Sequence, residues 1–334
     1  MIKENIQARF RDLLRGFLPV RGTILEPMYD RVIYTGTARA ALRIVLDYLR
    51  SRGIIENKNG EVVVAQWMCT SVYHIMHKAC FPMLAPTGNT KGVMPYHQYG
   101  FPQNMDAIMD AARQHRWFVI ENCVNVFDSS FKGRRLGTFG MASIFSLSKM
   151  FPSIQGGALV CGDDELLAFA KGAVDSDRAH FTSIVAHWSR LMSETGTHPF
   201  WDNIQEMAYG SIDGAKRISR VSLNIVRREV AAGAMERRRQ NYRLLLDSFS
   251  GEEFFRGLEP EVTPYVVPLI AEEAVLRRIK DKLGAAGVWT DLYHFDVNRN
   301  LLDPLFKRCV WIPVHQGIDA SMMEKISSLI KSAA

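Results

Sequence analysis

Residues 91–123 read KGVMPYHQYGFPQNMDAIMDAARQHRWFVIENC, and this stretch decides the fold. Its first ten residues predict a strand that runs into a loop, residues 105–116 have apolar side chains at helical spacing, and residues 117–123 predict a second strand. The same alternation extends outward, with helices at 37–51 and 71–80 and strands at 61–67, 141–148 and 156–162. Strands that alternate with helices predict an α/β fold with a mostly parallel sheet and helices on both faces.

The pattern changes after about residue 164, which suggests more than one structural unit. The predicted units are an N-terminal helical segment (1–30), a large domain (31–221) with a helical and loop-rich insertion (172–216), one long connecting helix (222–249) and a small C-terminal α/β domain (250–334). Within the small domain we expect strands at 262–270 and 288–295 and helices at 272–287 and 321–332.

The composition is that of an ordinary globular protein. The chain has 334 residues, 47% of them hydrophobic and 23% charged, which excludes a disordered or collagen-like chain. The net charge of +6 is spread along the chain, so it suits an anionic small molecule and gives little support to a nucleic-acid partner. The five cysteines form no CxxC pair, and no segment reaches the roughly 18 apolar residues of a membrane span. We expect a cytoplasmic protein with reduced thiols and no membrane partner.

Ligands of parallel sheets lie at the carboxyl ends of the strands, so the turns there are the places to look for chemistry. The segment Ser146–Lys149 follows a predicted strand, and a lysine in a desolvated pocket becomes nucleophilic enough to form a Schiff base. A surface lysine is the plainer interpretation. Gly36 and Thr37 open a helix whose free N–H groups favour an anion, although Thr37 could equally be a simple N-cap.

Two further strand ends carry candidate residues. Glu121 and Asn122 end a buried strand and could face a ligand, or they could form an ordinary turn. Trp67 or Met68 could lie over a flat cofactor ring, although core packing is the simpler expectation for either. We expect no metal site, because the nine histidines are scattered and His74 and His77 lack a neighbouring carboxylate or cysteine.

Taken together and in order, these segments resemble the DegT/DnrJ/StrS-type nucleotide-sugar aminotransferases. Those enzymes depend on pyridoxal 5'-phosphate and have the aspartate-aminotransferase fold, fold type I. The segments that carry the resemblance are YTGTARAAL (34–42), AQWMCTSVYHI (65–75), PYHQYGFPQNMDAIMDAARQH (95–115), VIENCVN (119–125), SFKGRRLGTFG (130–140), IFSLSK (144–149) and the glycine pair at 156–157. The resemblance continues in AGVWTDLYH (286–294) and VWIPVHQGID (310–319) and covers roughly residues 31–330.

The resemblance implies roles for particular residues. Lys149 would form the Schiff base with the cofactor and shuttle the proton. The implied cofactor-binding residues are Gly36, Thr37, Ala38, Ser143 and Ser146 at the phosphate, Trp67 or Met68 over the ring, and Asn122 and Asn125 around it. The implied substrate-binding residues are His97, Tyr99, Tyr293 and His294, the last two in swapped order relative to the family.

Four residues that depart from the family pattern bear on function. Asn122 stands where the family has the aspartate that keeps the pyridine nitrogen protonated. Asn125 and Gln155 replace other polar residues of the pattern. Ile218 stands where the family has an asparagine that reaches the partner subunit's cofactor phosphate in a homodimer.

The resemblance therefore implies an aminotransferase of polysaccharide biosynthesis. It would move an amino group, from glutamate, to a nucleotide-linked keto-sugar, with pyridoxamine 5'-phosphate as the intermediate form of the cofactor. Two alternatives stay open: a degenerate paralogue that binds the cofactor or a nucleotide sugar without transamination, and a pyridoxal phosphate enzyme of another reaction type because of Asn122. A dinucleotide-binding Rossmann domain is disfavoured, because no GxGxxG follows the first strand.

Overall fold

The computed structural model describes residues 2–4, 6, 10–153, 155–176, 217–249, 258–259 and 262–333. Its strands are β1 (Val32–Thr35), β2 (Glu61–Val64), β3 (Phe81–Met83), β4 (Thr90–Met94), β5 (Phe118–Cys123), β6 (Ser130–Phe131), β7 (Arg134–Arg135), β8 (Ala142–Ser146), β9 (Gly157–Cys161), β10 (Val266–Ile270), β11 (Leu292–Asp296) and β12 (Phe306–Pro313). Its helices are α1 (Phe10–Gly16), α2 (Ala38–Ser51), α3 (Thr70–Met76), α4 (Met105–His115), α5 (Leu147–Met150), α6 (Asp164–Asp175), α7 (Arg220–Ala231), α8 (Ala234–Ser248), α9 (Glu273–Ala285) and α10 (Ala320–Lys331).

The central sheet has the strand order β1-β9-β8-β5-β4-β2-β3. Strands β3, β2, β4, β5 and β8 run parallel, and β9 runs antiparallel to both of its neighbours. Two neighbouring parallel strands need a long crossover connection. Only the short α5 and a loop connect β8 to β9, so β9 runs antiparallel to β8. The predicted α/β fold with a mostly parallel sheet is therefore confirmed, with β9 as the reversed strand.

Alternate residues of the central strands pack on opposite faces of the sheet. On one face, Val62, Met94, Ile120 and Ile144 pack against the apolar sides of α2, α3 and α6. On the other face, Val63, Val93 and Val119 pack against Met105 and Ile108 of α4. Helices thus cover both faces, as the sequence predicts.

The C-terminal part forms a three-stranded antiparallel sheet in the order β10-β12-β11, and α9 and α10 pack with it. Its core is continuous with the core of the large part, because Phe295 lies against Tyr99 and Phe101 with ring centroids 5.8 and 5.9 Å apart. Strand β12 was not among the predicted strands, although its residues carry one of the family-like segments.

Some predicted boundaries differ from the structure. The single long helix predicted at 222–249 is two helices, α7 and α8, because Gly233 between them has a φ of +74° and adopts the left-handed conformation. Of the predicted N-terminal helical segment, the described helix is α1 alone. The predicted insertion at 172–216 lies outside the described residues from 177 onward. The division into domains stays a prediction. Within the described residues, no helix has the length and apolar character needed to cross a bilayer.

Candidate active site

A cavity of about 250 Å³ opens at the carboxyl ends of the parallel strands. The turn after β1, the loop after β2, and the ends of β4, β5 and β8 all contribute to it. The residues that line it are Thr37, Ala38, Arg39, Leu42, Met68, Cys69, Ser71, Val72, Tyr96, Asn122, Val124, Ile144, Ser146, Ser148 and Lys149. Five chain segments that are far apart in sequence therefore meet at one site.

Lys149 lies in α5, directly after β8, and it lines this cavity. Its side chain is partly buried, and Nζ lies 5.7 Å from the centre of the Tyr265 ring. Burial lowers the pKa of the Lys149 ammonium, and the positive charge of Arg39 acts in the same direction. The Cys69 thiol and the Glu4 carboxylate act the other way. The net effect favours the uncharged, nucleophilic amine.

The N-terminus of α2 forms another part of the wall. Thr37 is its N-cap, and the Thr37 hydroxyl accepts a hydrogen bond from Ala40 N at 3.0 Å. Thr37 is therefore the N-cap of α2, as one of the two interpretations of the sequence predicts, and it also lines the cavity. Backbone N–H groups of the first helical turn lack intrahelical partners and give this end a partial positive charge. An anion in the cavity would meet them.

Strand β9 fixes the position of that helix end. Gly156 N donates to Gly36 O at 2.8 Å. A Cβ on Gly157 would lie 2.3 Å from the Thr37 carbonyl carbon and 2.4 Å from Ala38 N. The predicted glycine pair is thus required sterically, because any side chain at Gly157 would push the α2 N-terminus away.

Asn122 closes the floor of the cavity at the end of β5. It is buried, its Nδ2 lies 3.7 Å from the Met68 Sδ, and its Oδ1 accepts a weak hydrogen bond from Val124 N at 3.4 Å. Met68 lines the cavity, whereas Trp67 is 46% exposed and stacks on His294 with ring centroids 4.2 Å apart. Of the two residues predicted to cover a cofactor ring, Met68 is the one at the cavity. Among the described residues that line the cavity there is no carboxylate.

Ser143 does not reach the cavity, contrary to the role the resemblance implies for it. Successive residues of a strand face opposite sides, so Ile144 and Ser146 line the cavity while Ser143 faces the other side. The Ser143 hydroxyl donates instead to Gly137 O at 2.8 Å. Of the two serines that the resemblance implies at the phosphate, Ser146 is the one that lines the cavity.

Glu121 is on that same far face, although the sequence pattern placed it beside a possible ligand. Its carboxylate accepts hydrogen bonds from Gly137 N at 2.8 Å, Phe139 N at 2.6 Å and Gly140 N at 3.0 Å. His97 Nε2 lies 3.3 Å from it, and His97 Nδ1 accepts from Gln103 N at 3.1 Å. This buried network holds the loop after β7 and does not contact the cavity.

The other residues implied as substrate-binding also lie elsewhere. Tyr99 is buried, and its hydroxyl donates to His294 O at 3.1 Å. Tyr293 packs on Trp311 with ring centroids 3.7 Å apart. Asn125 is buried and accepts a hydrogen bond from the Tyr96 hydroxyl. None of these residues lines the described cavity, so Asn125 would act on it only through Tyr96.

Nine of the residues that line the cavity were not predicted, and five of these have polar or ionisable side chains: Arg39, Cys69, Ser71, Tyr96 and Ser148. Burial raises the pKa of the Cys69 thiol, but hydrogen bonds with Ser71 and the charges of Lys149 and Arg39 outweigh it, so the pKa is lowered. The strand alternation that places Met94 on the α2 side of the sheet also predicts Tyr96, not His97, for the cavity. No pattern in the sequence singles out the others.

The first described residues of the chain lie along the small sheet. Ile2 N donates to Gly287 O at 2.7 Å, and Trp289 N donates to Ile2 O at 2.8 Å. Glu4 Oε2 is buried and has no hydrogen-bond partner among the described residues. After burial, the negative charge of Glu4 is the next cause that raises the pKa of Tyr265. Glu4 therefore adds a negative charge on the Tyr265 side of Lys149.

Ile218 and Gln155 take structural positions. Ile218 is buried, close to Gly156, and its apolar side chain cannot bind a phosphate. Gln155 Oε1 accepts from Ser219 N at 3.1 Å, next to the Ser219 N-cap of α7. Asn224, a conceivable replacement for the missing asparagine, donates to Gly16 O at 2.9 Å.

Comparison with known proteins finds similar aminotransferases. The family model of the DegT/DnrJ/EryC1/StrS aminotransferase family matches residues 84–247. GDP-perosamine synthase of Escherichia coli O157:H7 is 33% identical over 111 residues, which cover 31% of this chain and 30% of that protein. The stretch aligned with that relative thus spans less than a third of its length.

Two solved structures have the same fold. DesI, determined in the presence of its TDP-sugar product, superposes with a TM-score of 0.66 at 16% identity and covers 99% of this chain and 92% of its own. PseC of Helicobacter pylori, an aminotransferase involved in the biosynthesis of pseudoaminic acid, gives a TM-score of 0.63 at 12% identity and covers 98% and 92%. The expected fold type I is confirmed.

Proposed function

We propose, from the sequence similarity of this chain to the DegT/DnrJ/EryC1/StrS aminotransferases, that it is a pyridoxal phosphate-dependent aminotransferase. It would move an amino group from glutamate to a nucleotide-linked keto-sugar. The observation that carries the proposal is a cavity lined both by Lys149, whose side chain is partly buried and whose pKa is lowered, and by the N-terminus of α2. The similarity to a GDP-perosamine synthase and to DesI, whose structure was determined with its TDP-sugar product, supports the substrate class.

The residues of the cavity fit this cofactor. The first turn of α2, with the hydroxyls of Thr37 and Ser146, would hold the phosphate. Met68 offers a soft apolar surface for the ring. When bound, the cofactor supplies an aldehyde that forms a Schiff base with an amine and a ring that withdraws electrons. Lys149 would supply that amine and carry the proton at Nζ during transfer.

An absorbance spectrum tests the proposal. Purified protein incubated with pyridoxal phosphate should show a visible band that borohydride removes, and peptide mass analysis should locate the reduced adduct at Lys149. Lys149→Ala should lack the band, while Lys171→Ala, exposed on α6, should keep it. L-glutamate should convert the band to the pyridoxamine form. A reducible band that persists in Lys149→Ala would show that the lysine is wrongly assigned.

A second function is favoured by one observation, the absence of a carboxylate among the described residues lining the cavity. Asn122 cannot form the ion pair that an aspartate makes with a protonated ring nitrogen, so a reaction such as racemisation is the alternative. Chiral analysis of amino acids incubated with the pyridoxal phosphate-bound protein distinguishes transamination from racemisation. Inverted amino acids without transfer favour racemisation, and a bound cofactor without any turnover indicates the degenerate paralogue.

We further propose a homodimer in the cytoplasm. Leu14, Phe17 and Leu18 are 54, 57 and 60% exposed, and such a cluster at the end of α1 is a candidate for burial against a second chain. Cys80, Cys123, Cys161 and Cys309 are free and buried, which is typical of a reducing compartment. Sedimentation equilibrium tests the dimer, and Leu18→Lys should weaken it if α1 lies in the interface.

A further inference from the structure

A second, smaller pocket lies beside the candidate active site. Its volume is about 40 Å³, and Trp67, Leu84 and Phe306 are among the apolar side chains that line it. Tyr96 belongs to the lining of both pockets, and Trp67 directly precedes Met68, which lines the larger one. The two pockets therefore share a wall, and one extended molecule could occupy both.

Trp67 presents an aromatic surface at this smaller pocket. It is 46% exposed, although tryptophan is on average a well-buried residue. His294 of β11 lies nearly parallel to the indole, with ring centroids 4.2 Å apart, and Phe306 at the start of β12 meets it edge-on at 6.4 Å. The indole is thus held by two neighbouring rings and still has free surface on which a flat aromatic group can stack.

The smaller pocket is also lined by a buried amide that lacks a partner. Gln103 is only 4% exposed, and its side-chain amide makes no hydrogen bond with the described residues. Such a group is costly to bury, and it offers one acceptor and two donors to any group that enters the pocket. The amide of Gln98, which lines the same pocket, is already used, because it donates to His294 O at 2.7 Å and accepts from Asp296 N at 3.0 Å.

The loop between β11 and β12 closes the smaller pocket and is fixed in place. The Asp296 carboxylate accepts hydrogen bonds from Asn300 N at 3.0 Å and from Leu305 N at 2.9 Å. Leu301 of this loop is buried against Met105 of α4 and lines the pocket. The pocket is therefore preformed, as ligand sites usually are.

The lining of the smaller pocket favours an uncharged ring over a phosphate. No arginine, lysine or histidine is among the described residues that line it, and Asp296 adds a negative charge. A volume of about 40 Å³ holds only a few water-sized groups, so the pocket has room for the edge of a ring while the ring itself lies against Trp67. A nucleobase has both a face that stacks on indole and an edge of donors and acceptors that an amide can bind.

We propose that the smaller pocket binds the base of the nucleotide-linked substrate, which stacks on Trp67 and places its edge at the Gln103 amide. The inference rests on the proposed function for the nucleotide and on the pocket alone for the flat ring. Because the two pockets share Tyr96, a base bound here leaves the linked sugar free to enter the larger cavity, which Lys149 lines.

The first test is calorimetric titration of the protein, incubated with pyridoxal phosphate, with GDP, UDP, dTDP and inorganic diphosphate. Trp67→Ala should bind the preferred nucleotide about tenfold more weakly or worse, as expected for a lost stack of a base on an aromatic ring. Inorganic diphosphate has no base, so its affinity should not change. Trp289→Ala is the matched control, because Trp289 is 37% exposed, packs on Trp311 and does not line the pocket. Equal nucleotide affinity of wild type and Trp67→Ala, or no nucleotide binding by the wild type, would overturn the proposal.

The second test separates binding from stability. Gln103→Leu removes a buried amide that has no partner among the described residues, so it should keep or raise the urea midpoint of unfolding while it weakens nucleotide binding. Gln98→Leu is the control and should lower the midpoint, because it removes the hydrogen bonds to His294 O and from Asp296 N. A lower midpoint together with unchanged nucleotide affinity in Gln103→Leu would show that Gln103 has a structural role instead.

The two proposals fail separately. A reducible cofactor adduct at Lys149 combined with nucleotide binding that is insensitive to Trp67 and Gln103 would refute this inference and leave the aminotransferase proposal standing. Nucleotide binding that depends on Trp67 in a protein without any reducible adduct would do the opposite. Loss of the adduct in a folded Trp67→Ala variant, checked by circular dichroism, would mean that the indole covers the cofactor ring, and it would overturn the assignment of Trp67 to the base.

Discussion

At the scale of single residues, Asn122 sets the polarity of the cavity floor. The Asn122 Nδ2 lies 3.7 Å from the weakly polar Met68 Sδ, so Asn122 brings no charge to the cavity floor. A carboxylate at this position would form an ion pair with a protonated ring nitrogen of a bound cofactor.

We predict that Asn122→Asp speeds the half-reaction with L-glutamate by about tenfold or more, because the ion pair strengthens electron withdrawal by the ring. Stopped-flow absorbance of the loaded protein measures this rate. Asn125→Asp is the control, since Asn125 bonds Tyr96 and does not line the described cavity. An unchanged or slower rate in Asn122→Asp would mean that the ring nitrogen is not what Asn122 contacts.

Glu4 carries the second prediction at this scale. The negative charge of Glu4 raises the pKa of Lys149, opposing the effect of burial. Removing that charge disfavours the ammonium, so Glu4→Gln should lower the pKa of Lys149 further. More of the amine is then unprotonated at neutral pH, and the pH profile of Lys149 modification in the cofactor-free protein should shift to lower pH. Glu56→Gln, exposed on the surface, should leave the profile in place. If the pH profile of Lys149 modification is the same in Glu4→Gln as in the wild type, the charge of Glu4 does not act on Lys149.

Lys149, Thr37, Ser146 and Asn122 could be predicted for the cavity because each follows a parallel strand, and such ends meet at one edge. Ser143 and His97 were misplaced because a strand's faces alternate residue by residue, and a motif alone does not say which face is which. Apolar neighbours show which face is which. Ile144 packs in the core on the α2 side of the sheet, and Ser146, two residues later in the strand, lies on the same face. The position of Arg39 depends on the path of a long side chain, which no spacing rule specifies.

At the scale of elements, the contact between β9 and α2 supports the cavity. Gly157 pairs with Thr35 in β1, and its Cα faces the first turn of α2 so closely that a Cβ would lie 2.4 Å from Ala38 N. The sheet thus fixes the helix end that would hold the phosphate.

We predict that Gly157→Ala lowers the free energy of unfolding by about 2 kcal/mol, the usual cost of overpacking. It should also weaken pyridoxal phosphate binding by about tenfold or more, because the first turn of α2 is displaced. Urea unfolding and a cofactor titration measure the two effects. Gly172→Ala in α6, where a Cβ would meet nothing within 4 Å, is the control and should be neutral or stabilising. If Gly157→Ala binds the cofactor with the affinity of the wild type, the contact between Gly157 and the first turn of α2 does not support cofactor binding.

Helices and strands of the large part were predictable because their apolar periodicity is strong, as in α2 and α4. The break between α7 and α8 was not, because a glycine inside a helical pattern is often tolerated and only the structure shows that Gly233 is left-handed. Strand β12 was missed for another reason. Phe306, Lys307 and Arg308 at its start are partly or fully exposed, and the partly exposed Trp311 interrupts the buried residues that follow, so the strand has no regular alternation.

At the scale of the whole molecule, Arg238 joins the large and small parts near the cavity. It is fully buried on α8, and it donates to Tyr265 O at 2.8 Å, Met150 O at 3.3 Å and Gln316 Oε1 at 3.1 Å. Burial lowers the pKa of Arg238 to about 10, so the guanidinium is still charged at neutral pH. Its partners lie on three separate segments, and one of them follows Lys149 directly.

We therefore predict that Arg238→Leu lowers the free energy of unfolding by roughly 3 kcal/mol. Leucine removes the cost of a buried charge, but it takes away the Arg238 donor from the carbonyl oxygens of Pro264 and Tyr265 and from Gln316 Oε1, and that second effect is larger. Urea unfolding measures the change, with Arg243→Leu as the control because Arg243 is exposed on the same helix. The loss of the Met150 contact should also loosen α5, so the Lys149 adduct should form with a weaker cofactor affinity. Wild-type stability of Arg238→Leu would mean that packing alone, without these hydrogen bonds, joins the two parts and positions the lysine.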